Sequence, residues 1–238
     1  MSAAAHEQVP AAGTLVDSVA EKLEDVRRRI HRAGVDPGGV RIVAVTKGFG
    51  PEACRAALAA GLVDLGENYA AELLAKADVL GPGSGARWHA IGGLQRNKVA
   101  QLSGRVALWQ TLDRLPLAAE LARRAPGAEV LVQVNLAADP GRPGCRFDDV
   151  PALLDGATGL GLSVRGVMGV APLGPAEDVA RAAFRRLAGL AARLGLPEVS
   201  MGMSADFEIA VQEGATMLRL GTALFGSRPP RPVPRPVR

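Results

Sequence analysis

Apolar residues recur at Leu15, Val16, Val19, Leu23, Val26 and Ile30. Those steps of three and four predict an amphipathic helix over 14–33. Gly34, Pro37, Gly38 and Gly39 end it. Beyond that point the pattern changes. RIVAVT, VDLG, RWHAIG, VALWQT, EVLVQVN, SVRGVMGV, PEVSMG and TMLRLG read as eight short strands, with seven helical stretches between them. PEACRAALAAG is the first of these helices, its Pro51 suited to a first turn, and AEDVARAAFRRLAGLAARLG the longest. Most of the strand runs are continuously apolar rather than alternating, as strands covered on both faces of a parallel sheet are. Eight βα units in 238 residues predict an α/β fold, a single (β/α)8 TIM barrel with an extra N-terminal helix. The alternative is an open doubly wound sheet. It expects a Gly-rich phosphate turn after the first strand, where this chain carries Lys47-Gly48-Phe49-Gly50. GPGSGA at 81–86 follows no strand and reads as a flexible loop.

Composition narrows the classes. With 48% hydrophobic residues the chain has ample material for a core, and with 3% aromatics it lacks the stacking platforms of single-strand nucleic-acid binders. The net charge is +4, but residues 228–238 carry four arginines and no acid; without them 24 basic residues face 24 acidic ones. No basic footprint covers the fold, so no nucleic acid is expected as a partner. The balanced body points to a monomer. We expect a flexible start at 1–13, the barrel at 14–227 and a disordered Pro/Arg-rich tail at 228–238, with a docking motif as the other reading of the tail. Cys54 and Cys145 form neither a disulfide framework nor a metal-ligand spacing. The start lacks a signal-peptide pattern and no long uncharged apolar run exists, so the expected location is cytoplasmic, with no membrane contact.

In a barrel of this kind the working groups lie at the carboxyl ends of the strands. Those ends read Lys47; Glu67-Asn68-Tyr69; His89; Gln110-Thr111; Asn135; Met168-Gly169; Ser200 to Ser204; and Arg219 to Thr222. A lysine at the wall of a partly dry mouth is poorly solvated as a cation, and its neutral amine is a nucleophile toward carbonyls, the chemistry of a Schiff base. Alone, Lys47 reads more simply as an ammonium reaching solvent at the rim. The loops after the seventh and eighth strands commonly bind phosphate. Here Gly202 and Gly221 would admit backbone amides, and Ser200, Ser204 and Thr222 would add hydroxyls, with a helix start behind Ser204. Ser204 also reads as a plain helix N-cap. An amine opposite a phosphate seat suggests a phosphorylated aldehyde, and pyridoxal 5'-phosphate is the obvious one. Arg219 lies among Met217, Leu218 and Leu220. It could face the pyridine nitrogen and keep it unprotonated, or pair with an acid at the barrel bottom.

VAVTKG, GENY, WHAIGGLQRNK, RGVMG and SMGMSADFEIAVQEGATMLRLGTALFG together resemble the YggS/PROSC family, the pyridoxal phosphate homeostasis proteins. The resemblance runs from about Leu15 to Gly226. It implies a barrel like the N-terminal domain of alanine racemase and a protein that binds and buffers pyridoxal phosphate without an established reaction. Pyridoxal phosphate-dependent apo-enzymes would then be its macromolecular partners. The resemblance makes Lys47 the Schiff-base lysine, places Asn68 near the ring and Met168 and Asn135 on the same mouth, and assigns Ser200, Ser204, Gly221 and Thr222 to the phosphate and Arg219 to the ring nitrogen. The chain departs from the pattern at Gly93, where Pro or His is common, and at Arg142, where a lysine is usual, in a loop stiffened by Pro140 and Pro143. Arg142 cannot form a Schiff base.

Three functions were weighed. A carrier is favoured because a two-base racemase needs a second acid or base opposite the lysine. Tyr69 is the only tyrosine, and His89 reads as a packed barrel histidine or as an acid. A racemase using Lys47 with Tyr69 or His89 is the alternative. A metal-dependent hydrolase does not fit, since His6 and His31 precede the barrel and only His89 is left.

Overall fold

The structure, a computed structural model, describes residues 12–228 except 138, 140 and 173–175. The flexible start expected at 1–13 lies outside these residues except for 12 and 13, which begin a helix. The expected tail lies outside them except for Arg228. Pro140, read as stiffening its loop, also lies outside them.

The strands are β1 (Arg41–Val45), β2 (Asp64–Glu67), β3 (Arg87–Ala90), β4 (Val106–Leu112), β5 (Glu129–Val134), β6 (Ser163–Gly169), β7 (Glu198–Ser200) and β8 (Met217–Leu220). Each pairs in parallel with the next, and β8 returns to β1 with Ile42 opposite Leu218 and Val43 opposite Arg219. That last pairing closes the barrel and removes the open-sheet alternative.

Strand alternation divides the core. One set of side chains points outward beneath the helices, among them Ile42, Ala44, Val130, Val132 and Leu218. The other set fills the interior, where Val43, Leu108, Leu131, Met168 and Met217 form a separate cluster. Both faces are covered, which is why the strands read as unbroken apolar runs.

The outer layer holds α2 (Pro51–Ala59), α3 (Ala70–Leu80), α4 (Arg96–Leu102), α5 (Leu115–Arg124), α6 (Val150–Gly159), α7 (Glu177–Arg193) and α8 (Phe207–Gln212). After β8, among the described residues, comes the four-residue α9 (Thr222–Phe225), a helix that apolar periodicity did not reveal. The helix in front, α1 (Ala12–Arg32), packs against α2, α8 and α9 and fills the gap in the ring. It buries Val19, Leu23, Val26 and Ile30, each worth about 1.5–3 kcal/mol before ordering costs. Arg29 fixes its register on α8, with two hydrogen bonds of 3.0 and 2.9 Å to Glu208 and its guanidinium 4.5 Å from the Phe207 ring centre.

Among the described residues no helix is long and apolar enough to cross a membrane, and no group of three His, Cys, Asp or Glu could hold a metal.

Candidate functional site

At the carboxyl ends of the strands lies a cavity of about 400 Å³. It is built from the ends of β1, β2, β5 and β8 and from the loops after β3, β6 and β7. Lys47, Asn68, Ser204, Arg219, Gly221 and Thr222 all line it. So do Gln133, Met203 and Arg228, three residues the sequence reading did not propose.

Lys47 sits two residues past the end of β1, in a turn rather than on the strand. Gly48 makes that turn possible, since its φ of +77° is a left-handed value that side chains disfavour. The turn is held from below. Gly48 N–H donates to Glu72 Oε2 at 2.8 Å, and Lys76 Nζ donates to the Thr46 carbonyl at 2.7 Å. Lys76 also meets buried Glu67 Oε1 at 2.6 Å, and Thr46 Oγ1 donates to the same oxygen at 2.6 Å. Burial pushes Glu67 upward from the usual carboxylate range, against the pull of Lys76 and Thr46.

Lys47 itself has no ion pair among the described residues. Burial holds its amine below the ordinary lysine value, and the positive charges of Arg228 and Arg219 push it the same way. A neutral amine is therefore more accessible here than on the surface.

Arg219 is 5% exposed and points from β8 into the barrel. It donates to Ser200 Oγ at 2.7 Å and to the Gly169 carbonyl at 2.8 Å. No carboxylate contacts it among the described residues, so the pairing with a barrel-bottom acid is not a direct one. Burial brings its pKa down to about 10, still a cation at neutral pH.

The phosphate-type end is built differently from expectation. Ser204 does not cap α8; Asp206 takes the Met203 N–H there, at 2.6 Å. Ser204 Oγ instead accepts from Ala223 N–H at 2.9 Å, one of the first-turn amides of α9 that have no partner within the helix. Its own O–H proton remains for a ligand. Gly221 is tight for another reason: a Cβ there would stand 3.2 Å from the Val45 carbonyl oxygen. Gly202, expected to admit an anion, does not line the cavity. Its φ is +90°, and a Cβ would stand 2.6 Å from Ala210 Cβ and 2.8 Å from Leu218 Cδ2, so it lets α8 settle on β8.

Two proposed residues lie a layer deeper. Ser200 is fully buried and Met168 is 1% exposed. They sit opposite each other in the β6–β7 register, and Ser200 also pairs with Met217. Neither lines the cavity. Ser200 is engaged by Arg219 and Gln110 rather than free for an anion. Asn135 is likewise displaced. It lines an adjoining hollow of about 240 Å³ with Arg142 and organises its own loop, donating to the Asp139 carbonyl at 2.7 Å. Arg142 is turned onto the Ala171 carbonyl at 3.2 Å. Gln133 lies in the wall shared by both hollows. Its Oε1 is buried without a partner, an arrangement that costs stability unless a ligand donates to it. The signal for Gln133 was a lone amide in the apolar run VLVQV.

The candidates for a second base are elsewhere. His89 is fully buried, with Nε2 2.9 Å from Asp64 Oδ1 and Nδ1 2.8 Å from Gln110 Nε2. Tyr69 is 55% exposed and does not line the cavity.

Residues 16–229 match the family described as alanine racemase, N-terminal domain. The pyridoxal phosphate homeostasis protein of Pseudomonas aeruginosa is 40% identical, over 90% of this chain and 96% of that protein. The protein of the same name from Deinococcus radiodurans is 42% identical, over 87% of this chain and 99% of its own length. Among solved structures, PipY of Synechococcus elongatus with pyridoxal phosphate bound is similar with a TM-score of 0.78 and 34% identity, over 87% of this chain and 100% of that one.

Proposed function

The chain belongs to the alanine racemase N-terminal domain family and, within it, to the pyridoxal phosphate homeostasis proteins; from that premise we propose that it holds pyridoxal 5'-phosphate on Lys47 and serves the homeostasis of that cofactor as a carrier, not an enzyme. The observation that carries this reading is the shared cavity. A part-buried amine with no acidic partner, a buried unpaired arginine and a hydroxyl-bearing turn all face one space of about 400 Å³, within the range of small-ligand sites.

The residues fit the group. Pyridoxal phosphate supplies an aldehyde that condenses with a primary amine, its carbonyl oxygen leaving as water. Lys47 provides the amine. Ser204, Thr222 and the backbone at Gly221 provide neutral donors for the phosphate, and Arg228 adds a positive charge at the rim. Gln133 Oε1 needs a donor, and the ring hydroxyl is one. Asn68, on the cavity wall, would lie beside the ring. Arg219 would face the ring nitrogen as a donor that remains charged, so that nitrogen would stay an acceptor. An unprotonated ring is a weak electron sink, which suits retention over carbanion chemistry. The positions of His89 and Tyr69 support the same conclusion, because neither brings a second acid or base to the cavity.

The test is direct. The purified protein should absorb visible light, and borohydride should fix the chromophore to the peptide that contains Lys47. An unlabelled Lys47 peptide would sink the assignment. Single-enantiomer alanine or serine should not be racemised; turnover that disappears in Lys47→Ala would favour the racemase.

A further inference from the structure

Five polar side chains cross the barrel interior in one unbroken series. Arg219 on β8 meets Ser200 on β7 at 2.7 Å, Ser200 meets Gln110 on β4 at 2.7 Å, Gln110 meets His89 on β3 at 2.8 Å, and His89 meets Asp64 on β2 at 2.9 Å. The first four residues are at most 5% exposed and Asp64 is 6% exposed. The series starts in the ligand cavity and ends at the first residue of β2, toward the amino ends of the strands.

The direction of the bonds follows from donor chemistry together with the placed orientation of Gln110. Arginine can only donate, so Ser200 Oγ accepts from it. The single hydroxyl proton of Ser200 is then available to Gln110, whose Oε1 is placed against it. The amide nitrogen of Gln110 therefore faces His89 and donates, its other hydrogen lying toward Met217 Sδ at 3.1 Å. His89 Nδ1 must accept and so carries no proton. Its proton is on Nε2 and points at the Asp64 carboxylate. All four bonds donate the same way, from cation to anion. Bonds aligned in this manner polarise one another in a dry interior.

We propose that Gln110 and His89 are positioning residues for Arg219, and that this one-way relay from Asp64 presents the guanidinium to the ring nitrogen of the bound cofactor. The inference rests on the reading of the cavity as a pyridoxal phosphate site. The relay answers a specific difficulty. A carboxylate beside Arg219 would hold it firmly, but would also put negative charge next to a phosphate site. Neutral side chains carry the compensation across the barrel instead, and the cavity wall stays free of acid.

The experiment compares Gln110→Met, which keeps the length of the side chain and removes its amide, with Leu108→Ala, which opens the same interior layer and spares the relay. Gln110→Met should still load on Lys47. Its cofactor should leave about ten-fold faster, the visible absorption maximum should move, and Arg219 guanidinium hydrogens in the ligand-free protein should exchange about ten-fold faster. Leu108→Ala should lower thermal stability and change none of these. Wild-type values of all three quantities in Gln110→Met would overturn the proposal. If that variant does not fold, nitrogen NMR of the unmutated protein decides. His89 should be neutral with its proton on Nε2, and that resonance should shift on adding pyridoxal phosphate. A proton on Nδ1, a cationic ring or a resonance indifferent to loading would each overturn it. A wild-type protein that takes up no pyridoxal phosphate would instead defeat the reading of the cavity, while exchange at Arg219 in Gln110→Met would still report on the relay.

Discussion

Two lysines reach the end of β1, and the structure treats them oppositely. Lys76, from α3, is 4% exposed and lies in a closed corner, 2.6 Å from Glu67, 3.6 Å from Glu72 and 2.7 Å from the Thr46 carbonyl. Lys47, one residue beyond Thr46, opens into the cavity, where it makes no ion pair among the described residues and where the charges of Arg228 and Arg219 weigh more than those of Glu67 and Glu72. Burial is common to both; the sign of the neighbours is not. A buried amine bonded to carboxylates serves structure. A part-buried amine without such a bond is driven toward its neutral, nucleophilic form by burial first and by nearby cations second. The inert lysine also supports the reactive one, because Lys76 and Glu72 hold the turn that carries Lys47.

The sharpest way to break this contrast is to remove each lysine in turn. Lys47→Ala should abolish the borohydride-fixed label completely while the protein stays folded. Lys76→Met should keep the label on Lys47 but lose about 3–5 kcal/mol of stability, because the Glu67 carboxylate is left buried without its partner. Thermal and urea unfolding measure the loss. Adding Glu67→Leu to Lys76→Met should recover much of it. A label that moves to Lys76, or a Lys76→Met variant as stable as the parent, would erase the distinction.

The sequence made one side of the contrast readable and hid the other. β1 and β5 are plain in their apolar runs, and Lys47-Gly48 stands out as a charge and a turn at the end of one. Arg219 was equally visible among apolar neighbours. Lys76 was not, because a lysine in YAAELLAKADVL looks like any exposed helical charge; only the fold brings it over Glu67. The same limit explains Ser200 and Met168. Both lie at strand ends, but whether such a residue lines the cavity or the layer beneath depends on register across neighbouring strands. Gln110 and Ser200 are ninety residues apart in sequence, so no local pattern could join them. α9 is too short to show a period, and with it the true partner of Ser204 was hidden.

A smaller effect is expected where the cavity holds the phosphate. Thr222→Val and Ser204→Ala each remove one neutral hydroxyl. A hydrogen bond of this kind contributes about 0.5–1.5 kcal/mol, so cofactor release should quicken by about 2- to 12-fold without loss of the Lys47 label. Stopped-flow transfer to an apo-enzyme acceptor measures the rate. An unchanged rate in both variants would move the phosphate away from α9.

The finest test concerns the charge around Lys47. Its proton is lost more easily in the folded protein than in the unfolded chain. Folding therefore carries a penalty while the amine is still protonated in the unfolded chain, and that penalty is relieved as pH rises toward the ordinary value of 10.5. For the same reason the rate of loading with pyridoxal phosphate should climb with pH and reach its midpoint below 10.5. Burial is the main cause and should survive any single charge change. Arg228 is the second; its side chain lies over Gly48, where a Cβ would stand 3.2 Å from Arg228 Cδ. Arg228→Gln should thus move the midpoint upward by only part of the whole shift, and slow loading at neutral pH. The same substitution in the closed corner's reach should leave unfolding of the Lys76–Glu67 pair untouched, since that pair is held by carboxylates and not by the rim. A midpoint that stays in place in Arg228→Gln would mean that Arg228 takes no part in preparing the amine, and that its charge at the mouth serves only the phosphate.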